Sequence, residues 1–406
     1  MSKLDELIAE LCPNGVEYRT FGESATIVRG ASPRPIKNFI TTEPTGVNWI
    51  KIGDVKPGDK YITASVEKIT PEGAKKSRAV KKGDFILSNS MSFGRPYILQ
   101  IDGCIHDGWL AISDFSDSYL SDFLYHLLNS NSCQSEMRKK ASFGGAVQNL
   151  NADIVRALVL PVPPLEVQRE IVHILDSFTL LTAELTAELT ARKKQYEFYR
   201  DNIIKKEQHI SEVKKLADVA NIYDSLHQTP SYSNSGYSMV RVQDIKGGYV
   251  DEDKTLKVDE SVWNLFTQKY TPQLNDIVVS RVGSYGNFAL ISNDKCCLGQ
   301  NVALIHPNIN PKYLYHVLMS TMTKQWINNN VKGASQKSFS LADIKRVPVP
   351  VPKDNIQQRI AEVLDNFESI CTDLNIGLPA EIEARQKQYE YYRDLLLTFA
   401  ETDRQS

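Results

Sequence analysis

Loops that mix cations, carboxamides and glycine are the parts of this sequence with chemistry to offer. Arg29, Arg34 and Lys37 form one such group, Lys75, Lys76 and Arg78 a second, and Asn89, Ser90 and Arg95 a third. In the second half of the chain the mixture returns as His227 and Gln228, then Arg281, Ser284, Tyr285 and Asn287, then Lys332, Gln336 and Lys337. Phosphate oxygens accept hydrogen bonds from Lys, Arg and backbone N–H groups, and base edges pair with Arg, Asn and Gln. The chemistry on offer is therefore nucleic-acid contact. For any single one of these side chains solvated surface is the plainer role, so the reading rests on at least one cluster in each half.

Other chemistries leave no trace. The sequence has no GxxxxGK[ST] phosphate loop, no Gly-rich dinucleotide fingerprint, no HExxH metal pair and no Asn/Asp-Pro-Pro-aromatic tetrad of the adenine-methylating kind. Its cysteines, at 12, 104, 133, 296, 297 and 371, show no CxxC spacing, so neither zinc nor a disulfide framework is indicated. Gly283-Ser284-Tyr285-Gly286 has the outline of an RNA-clamping GXXG loop, but no matching helix pair surrounds it and a tight turn is the better reading. His126 and His316 fall at equivalent places on predicted helices, where packing or capping explains them better than a metal. The net charge of -2 is not that of a protein that coats nucleic acid, yet one basic face is enough for a reader of DNA. With 42% hydrophobic and 24% charged residues the chain is an ordinary globular protein with room for two or three domains. No stretch approaches the ~20 apolar residues of a membrane span and the N-terminus lacks a signal-peptide pattern, so a cytoplasmic location is expected.

The elements that must position these loops are written twice. Leu165 to Lys206 reads as one long helix, with Ile171, Ile174, Phe178, Leu181 and Leu185 alternately three and four apart. Leu189 follows within the tandem repeat Thr182-Ala183-Glu184-Leu185 and Thr186-Ala187-Glu188-Leu189, a stutter in the heptad pattern, and the seam resumes as Arg192, Tyr196, Tyr199 and Ile203. Near the C-terminus Ile360, Val363, Phe367, Ile370 and Leu374 repeat the first half of the seam, and Ile382, Arg385, Tyr389, Tyr392 and Leu396 repeat the second. Gly377 and Pro379 lie between those halves, so a break is expected near Pro379.

Two modules precede the two rods. Trp49 to Val55 returns as Met239 to Ile245, and Asp84 to Ser88 returns as Asp276 to Ser280, each followed by an aromatic-Gly pair, Phe93-Gly94 and Tyr285-Gly286. Leu124-Tyr125-His126 returns as Leu314-Tyr315-His316, and Pro161-Val162-Pro163 as Pro350-Val351-Pro352. Between these anchors the copies differ almost completely, as expected when one scaffold carries loops for two targets. The expected fold class is α+β: a β-rich module over 1–164, a helix over 165–208, a second β-rich module over 209–352 and a second helix over 353–406. If the helices pair antiparallel as a coiled coil, the aliphatic half of each faces the tyrosine-rich half of the other, with the modules at opposite ends about a pseudo-twofold.

With those features in view, the whole chain resembles the specificity subunits of type I restriction-modification systems. The marks are the paired tracts Ala191-Arg192-Lys193-Lys194-Gln195-Tyr196-Glu197-Phe198-Tyr199-Arg200-Asp201 and Ala384-Arg385-Gln386-Lys387-Gln388-Tyr389-Glu390-Tyr391-Tyr392-Arg393-Asp394. Supporting them are Pro161 to Leu165 ahead of Gln168, the looser version from Pro350 to Gln358, and the repeated Thr-Ala-Glu-Leu. The resemblance implies two target-recognition domains, each reading half of a split site in double-stranded DNA. It implies two modification subunits that bind S-adenosylmethionine and methylate adenine, restriction subunits that use ATP and Mg, and no cofactor or catalysis in this chain. Recognition domains vary too widely in the family for any base-reading residue to be carried over. Near-identity of the two tracts suggests a shared partner surface made of Arg192, Gln195, Tyr196, Tyr199 and Arg200 and of Arg385, Gln388, Tyr389, Tyr392 and Arg393. The rival class is a protein-binding scaffold of two β-rich modules on a helical rod, with no nucleic-acid role.

Overall fold

A computed structural model of the protein describes residues 2–55, 58–89, 93–144, 147–331, 338–373 and 376–402. The chain forms two units, Met1–Ala183 with Glu383–Ser406, and Glu184–Ile382. The segments 165–208 and 353–406 therefore do not stand as domains of their own, because each contributes helix to both units.

In the first unit α1, Lys3–Leu11, starts at Ser2, whose hydroxyl accepts the Asp5 N–H while the Asp5 carboxylate accepts the Ser2 N–H. The strands that form its frame are β1 Glu17–Thr20, β2 Thr26–Arg29, β3 Val47–Ile50, β4 Arg78–Val80, β5 Phe85–Ser88, β6 Pro96–Leu99, β7 Gly103–Ile105, β8 Trp109–Ser113 and β9 Val159–Val162, with shorter strands such as Ile40–Thr41, Tyr61–Ile62 and Glu67–Ile69 beside them. One sheet runs β2-β8-β5-β6 with Tyr61–Ile62 at its edge, and another has β3 paired parallel to β7. Strand β5 is buried on both faces: Phe85 and Leu87 enter the core shared with the helices, and Ile86 enters the core between the sheets. That is why Phe85 to Leu87 reads as an unbroken apolar run. Helices α2 Ser121–Asn129 and α3 Asn131–Lys140 follow, and α4 spans Leu165–Ile210.

The second unit repeats this frame. Its strands are β10 Glu212–Lys215, β11 Ala220–Asp224, β12 Tyr237–Val240, β13 Leu256–Val258, β14 Ile277–Ser280, β15 Phe288–Leu290, β16 Cys296–Leu298, β17 Val302–Pro307 and β18 Pro348–Val351. Strand β12 pairs parallel with β16 as β3 does with β7, and β17 pairs Ala303 with Val279 as β8 pairs Leu110 with Leu87. Helices α5 Pro311–Met319 and α6 Thr321–Asn330 match α2 and α3. The last helices are α7 Asp354–Thr372 and α8 Leu378–Leu396, and Pro379 falls in the first turn of α8, where its missing N–H costs nothing. The repeated segment Trp49 to Val55 begins as strand and ends as turn: β3 stops at Ile50 and the turn Ile52–Asp54 follows, with the Asp54 carboxylate accepting the Lys51 N–H at 2.7 Å.

The heptad seam is only partly the buried stripe. In the first unit Val167, Ile171 and Leu175 are fully buried against the module, while Phe178 stacks on Tyr392 of α8 at 5.4 Å. In the second, Ile360, Ala361 and Leu364 are buried and Tyr199 meets Phe367 at 5.8 Å. Within each unit the aliphatic half of one helix thus faces the tyrosine-rich half of the other. Leu181, Val363 and Ile370 are exposed, because here each helix packs on a module as well as on a helix, and the buried stripe turns toward the module.

The paired tracts act inside the chain. In the first unit His126 Nδ1 lies 2.9 Å from the Tyr389 hydroxyl and Nε2 lies 2.9 Å from Asp176. In the second, His316 Nδ1 lies 3.0 Å from the Tyr196 hydroxyl and Nε2 lies 2.8 Å from Asp365. Arg393 sits 5.6 Å over the Tyr389 ring and pairs with Asp394, which accepts the N–H of Asn131 at the start of α3. Arg200 sits 5.2 Å over Tyr196 and pairs with Asp201, which accepts the N–H of Thr321 at the start of α6. Gln168 and Gln357, both fully buried, close the clasp: Gln168 bonds Leu120 N–H and the Pro163 and Ser118 carbonyls, and Gln357 bonds Asn310 N–H and the Pro352 carbonyl. Tyr196, Arg200, Tyr389 and Arg393 are therefore not partner surface: they are less than 10% exposed and hold a module onto its helices.

Candidate nucleic-acid interface

In both modules the divergent loops leave the same parts of the frame: after β2 or β11, after β3 or β12, in the β5-β6 or β14-β15 hairpin, and between β7 and β8 or β16 and β17. The hairpins follow from the aromatic-Gly pairs. Gly94 and Gly286 have φ of 71° and 75°, a region that suits glycine, and their N–H groups bond Ser88 and Ser280 carbonyls at 2.9 and 2.8 Å. Gly283 to Gly286 is accordingly a hairpin turn and not a separate clamp.

The first module gathers cations around Asp107. Its carboxylate accepts from Ser32 at 2.7 Å and from Arg34 at 3.4 Å, and its carbonyl accepts from Arg29 Nε at 3.3 Å and Asn89 Nδ2 at 2.9 Å. Arg78 Nε reaches the Arg29 carbonyl at 3.3 Å, and the Lys76 ammonium sits 4.8 Å from the Phe39 ring centroid. The Ser32 hydrogen bond, with His106 and Arg34, holds the Asp107 carboxyl below its ordinary range, so it faces Arg34 as an anion. Arg29, Arg34 and Arg78 are thus brought together with their charges exposed; Lys37, Lys75, Lys76 and Arg95 are exposed as well. Asn89 is not available to a ligand, being 4% exposed and committed to Asp107. Ser90 lies outside the described residues.

The second module offers amides where the first offers cations. Arg281 turns inward to Asp224 and the Phe339 carbonyl, which removes it from the candidate surface. His227 bonds the other oxygen of Asp224 at 3.1 Å, and His227, Gln228, Ser284 and Asn287 are exposed. Tyr285 is half-buried against the helical core. Lys332, Gln336 and Lys337 lie outside the described residues. Beside Ser284 opens a cleft of about 400 Å³ lined by Thr229, Pro230, Tyr232, Arg241, Val242, Gln243, Gln300 and Asn301. None of those lining side chains was reached by sequence reasoning. The available signal was the repeat itself: Gln243 stands where the first copy has Gly53.

His316, Asp365 and Glu368 place three possible metal-ligand atoms within 4.8 Å of one another. Both ring nitrogens are already engaged, the Lys312 ammonium pairs with Asp365 and the Tyr315 hydroxyl donates to Glu368, so the cluster is filled by the protein's own groups. Among the described residues no helix is long and apolar enough to cross a membrane.

A duplicated β frame, clasped to helices and bearing two unlike sets of polar loops, defines a protein with two recognition modules. A family model described as the type I restriction modification DNA specificity domain matches residues 13–192 and 210–384, and the chain belongs to that family. The type I restriction enzyme EcoR124I/EcoR124II specificity subunit of Escherichia coli is 36% identical over 247 residues, 59% of this chain and 61% of that protein, so the match spans less than two thirds of it. The Escherichia coli EcoprrI specificity subunit is 23% identical over 408 residues, 92% of this chain and 93% of that protein. Among solved structures, a chain from work on complex assembly and conformational transition of the type I R-M system shares the fold, with a TM-score of 0.64, 16% identity, and coverage of 95% of this chain and 98% of that one.

Proposed function

We propose that this chain is the sequence-reading subunit of a type I restriction-modification complex. Each module contacts one half of a split site in double-stranded DNA, with a non-specific spacer between the halves. The chain performs no catalysis: two modification subunits bring S-adenosylmethionine and methylate adenine, restriction subunits bring ATP and Mg, and the assembly works in the cytoplasm. The observation that carries this reading is one frame used twice with its loop end rebuilt, cation-rich around Asp107 in one copy and amide-rich around Asn301 in the other. Arg29, Arg34, Lys37, Lys75, Lys76, Arg78 and Arg95 are proposed DNA contacts of the first module, and His227, Gln228, Ser284, Tyr285 and Asn287 of the second. What remains accessible of each tract is a proposed seat for one modification subunit: Arg192, Phe198 and Tyr199 with half-buried Gln195 in the second unit, and Gln388, Tyr391 and Tyr392 with half-buried Arg385 in the first, Phe198 and Tyr391 being 64% and 65% exposed.

Binding of the full-length chain, with its modification subunits, to duplex DNA over a salt series tests the reading. Phosphate contacts release counterions, so affinity should fall steeply with salt. A protein scaffold without a nucleic-acid role would bind no duplex.

A further inference from the structure

The turn after β12 fixes the orientation of one carboxamide. Arg241 is locked to Asp244 by three bonds: its backbone N–H to Oδ2 at 2.9 Å, Nε to Oδ2 at 3.1 Å and Nη2 to Oδ1 at 3.2 Å. The same guanidinium faces one end of the Gln243 carboxamide, and because a guanidinium can only donate, the oxygen belongs at that end, where it accepts from Nη2 at 2.6 Å and Nη1 at 3.0 Å. A carboxamide oxygen has two lone pairs, and both are occupied. Gln243, exposed on the rim of the cleft, is left with its amide hydrogens alone to offer.

That restriction decides which base edge fits. A free Gln recognises adenine by accepting from N6 and donating to N7, whereas guanine presents two acceptors, N7 and O6. A glutamine that can only donate matches guanine and fails the acceptor half of the adenine contact. The surroundings are those of a reading site. Asn301 projects from a left-handed backbone at φ 62°, and among the described residues its carboxamide has no partner. Gln300 is held by Thr229 at 3.2 Å, and Tyr232 is 47% exposed beside it. In the first module the same turn keeps its cap, Lys51 N–H to Asp54, but Gly53 stands in place of the glutamine, so the amide belongs to the second reader only.

Resting on the DNA reading above, we propose that Gln243, oriented by Arg241, is a specificity-determining residue of the second half-site and selects guanine over adenine at one position. Arg241 is a positioning residue, acting through Gln243.

The test is selection of a randomised duplex library by the full-length chain with its modification subunits, comparing wild type with Gln243→Ala, Gln243→Glu and Arg241→Lys. Gln243→Ala should lower the guanine preference at one position of one half-site about tenfold and leave every other position unchanged. Gln243→Glu, which can only accept, should shift that position toward bases that donate, and Arg241→Lys, by freeing the glutamine oxygen, should admit adenine there. Thermal melting matched to wild type separates these effects from misfolding. Unchanged preferences in both Gln243 variants, or a change confined to the other half-site, would overturn the inference while leaving DNA reading intact. A wild-type protein that enriches no two-part motif would overturn the DNA reading itself, and this proposal with it.

Discussion

Tyr389 gives its hydroxyl proton to Nδ1 of His126 across 2.9 Å. The direction follows from the other side of the ring, where Asp176, able only to accept, lies 2.9 Å from Nε2 and so fixes the proton there. Tyr196, His316 and Asp365 repeat the arrangement. Tyr389→Phe leaves the buried Nδ1 unpaired and should cost about 1–3 kcal/mol. Urea unfolding of the full chain measures it, and Tyr196→Phe should destabilise the second unit comparably.

Asp394 supplies an acceptor to the first turn of α3, where backbone N–H groups have no partner within the helix. Asp394→Ala should destabilise the first unit by about 1–2 kcal/mol and speed hydrogen exchange at the Asn131 amide. No faster exchange at that amide would refute the capping role.

Acid should loosen the first unit in two stages. Burial lowers the His126 pKa from its ordinary 6.5, against the opposing pull of Asp176. The hydrogen bond from His126, followed by Lys60, lowers that of Asp176 from 3.8. Both folded values lie below the unfolded ones, so the unfolded chain binds more protons and stability falls as pH falls. The His126 contribution is complete above about 6.5 and is lost as pH drops through its lower folded value; Asp176 adds a second loss below its unfolded 3.8. Melting temperatures should therefore decline more steeply on acidification for wild type than for His126→Gln.

Cations around Asp107 should set the salt sensitivity of the first reader. Replacing Arg34 and Arg78 with Gln should flatten the slope of log affinity against log salt by about 0.9 for each phosphate that is no longer neutralised. Retention of the full slope would remove these residues from the interface.

Helix α4 carries its tandem tetrapeptides mid-length, with Leu185 and Leu189 only half-buried. Deleting Thr182 to Leu185 shortens it by about 6 Å and turns one end by about 40°. With base pairs about 3.4 Å apart, the recognised spacer should contract by one or two pairs and both half-sites should persist. Mapping methylated adenines in host DNA reads this directly, and altered half-sites would contradict the division of labour.

The repeat was legible because it is local: Asp84 to Ser88 and Asp276 to Ser280 announce doubly buried strands, and Phe93-Gly94 and Tyr285-Gly286 announce their hairpins. The tyrosine-arginine tracts were read outward because polar atoms on a helix usually face water. Their histidine and aspartate partners sit far off in sequence and come together only after folding. The amide cleft escaped for the same reason, since Thr229, Gln243, Ser284 and Gln300 meet only when four separate loops converge.

The Val16 N–H bonds the Ala400 carbonyl at 2.8 Å, the Thr402 N–H bonds the Val16 carbonyl at 3.1 Å, and the first unit needs Glu383 onward to be whole. During synthesis, then, the first unit can close only after residues 383–402 have joined it, because Tyr389 and Leu397 complete its core from that distant segment. Damage done beyond Ile382 would therefore be felt in the first unit, roughly two hundred residues upstream, and not in the second unit that lies between.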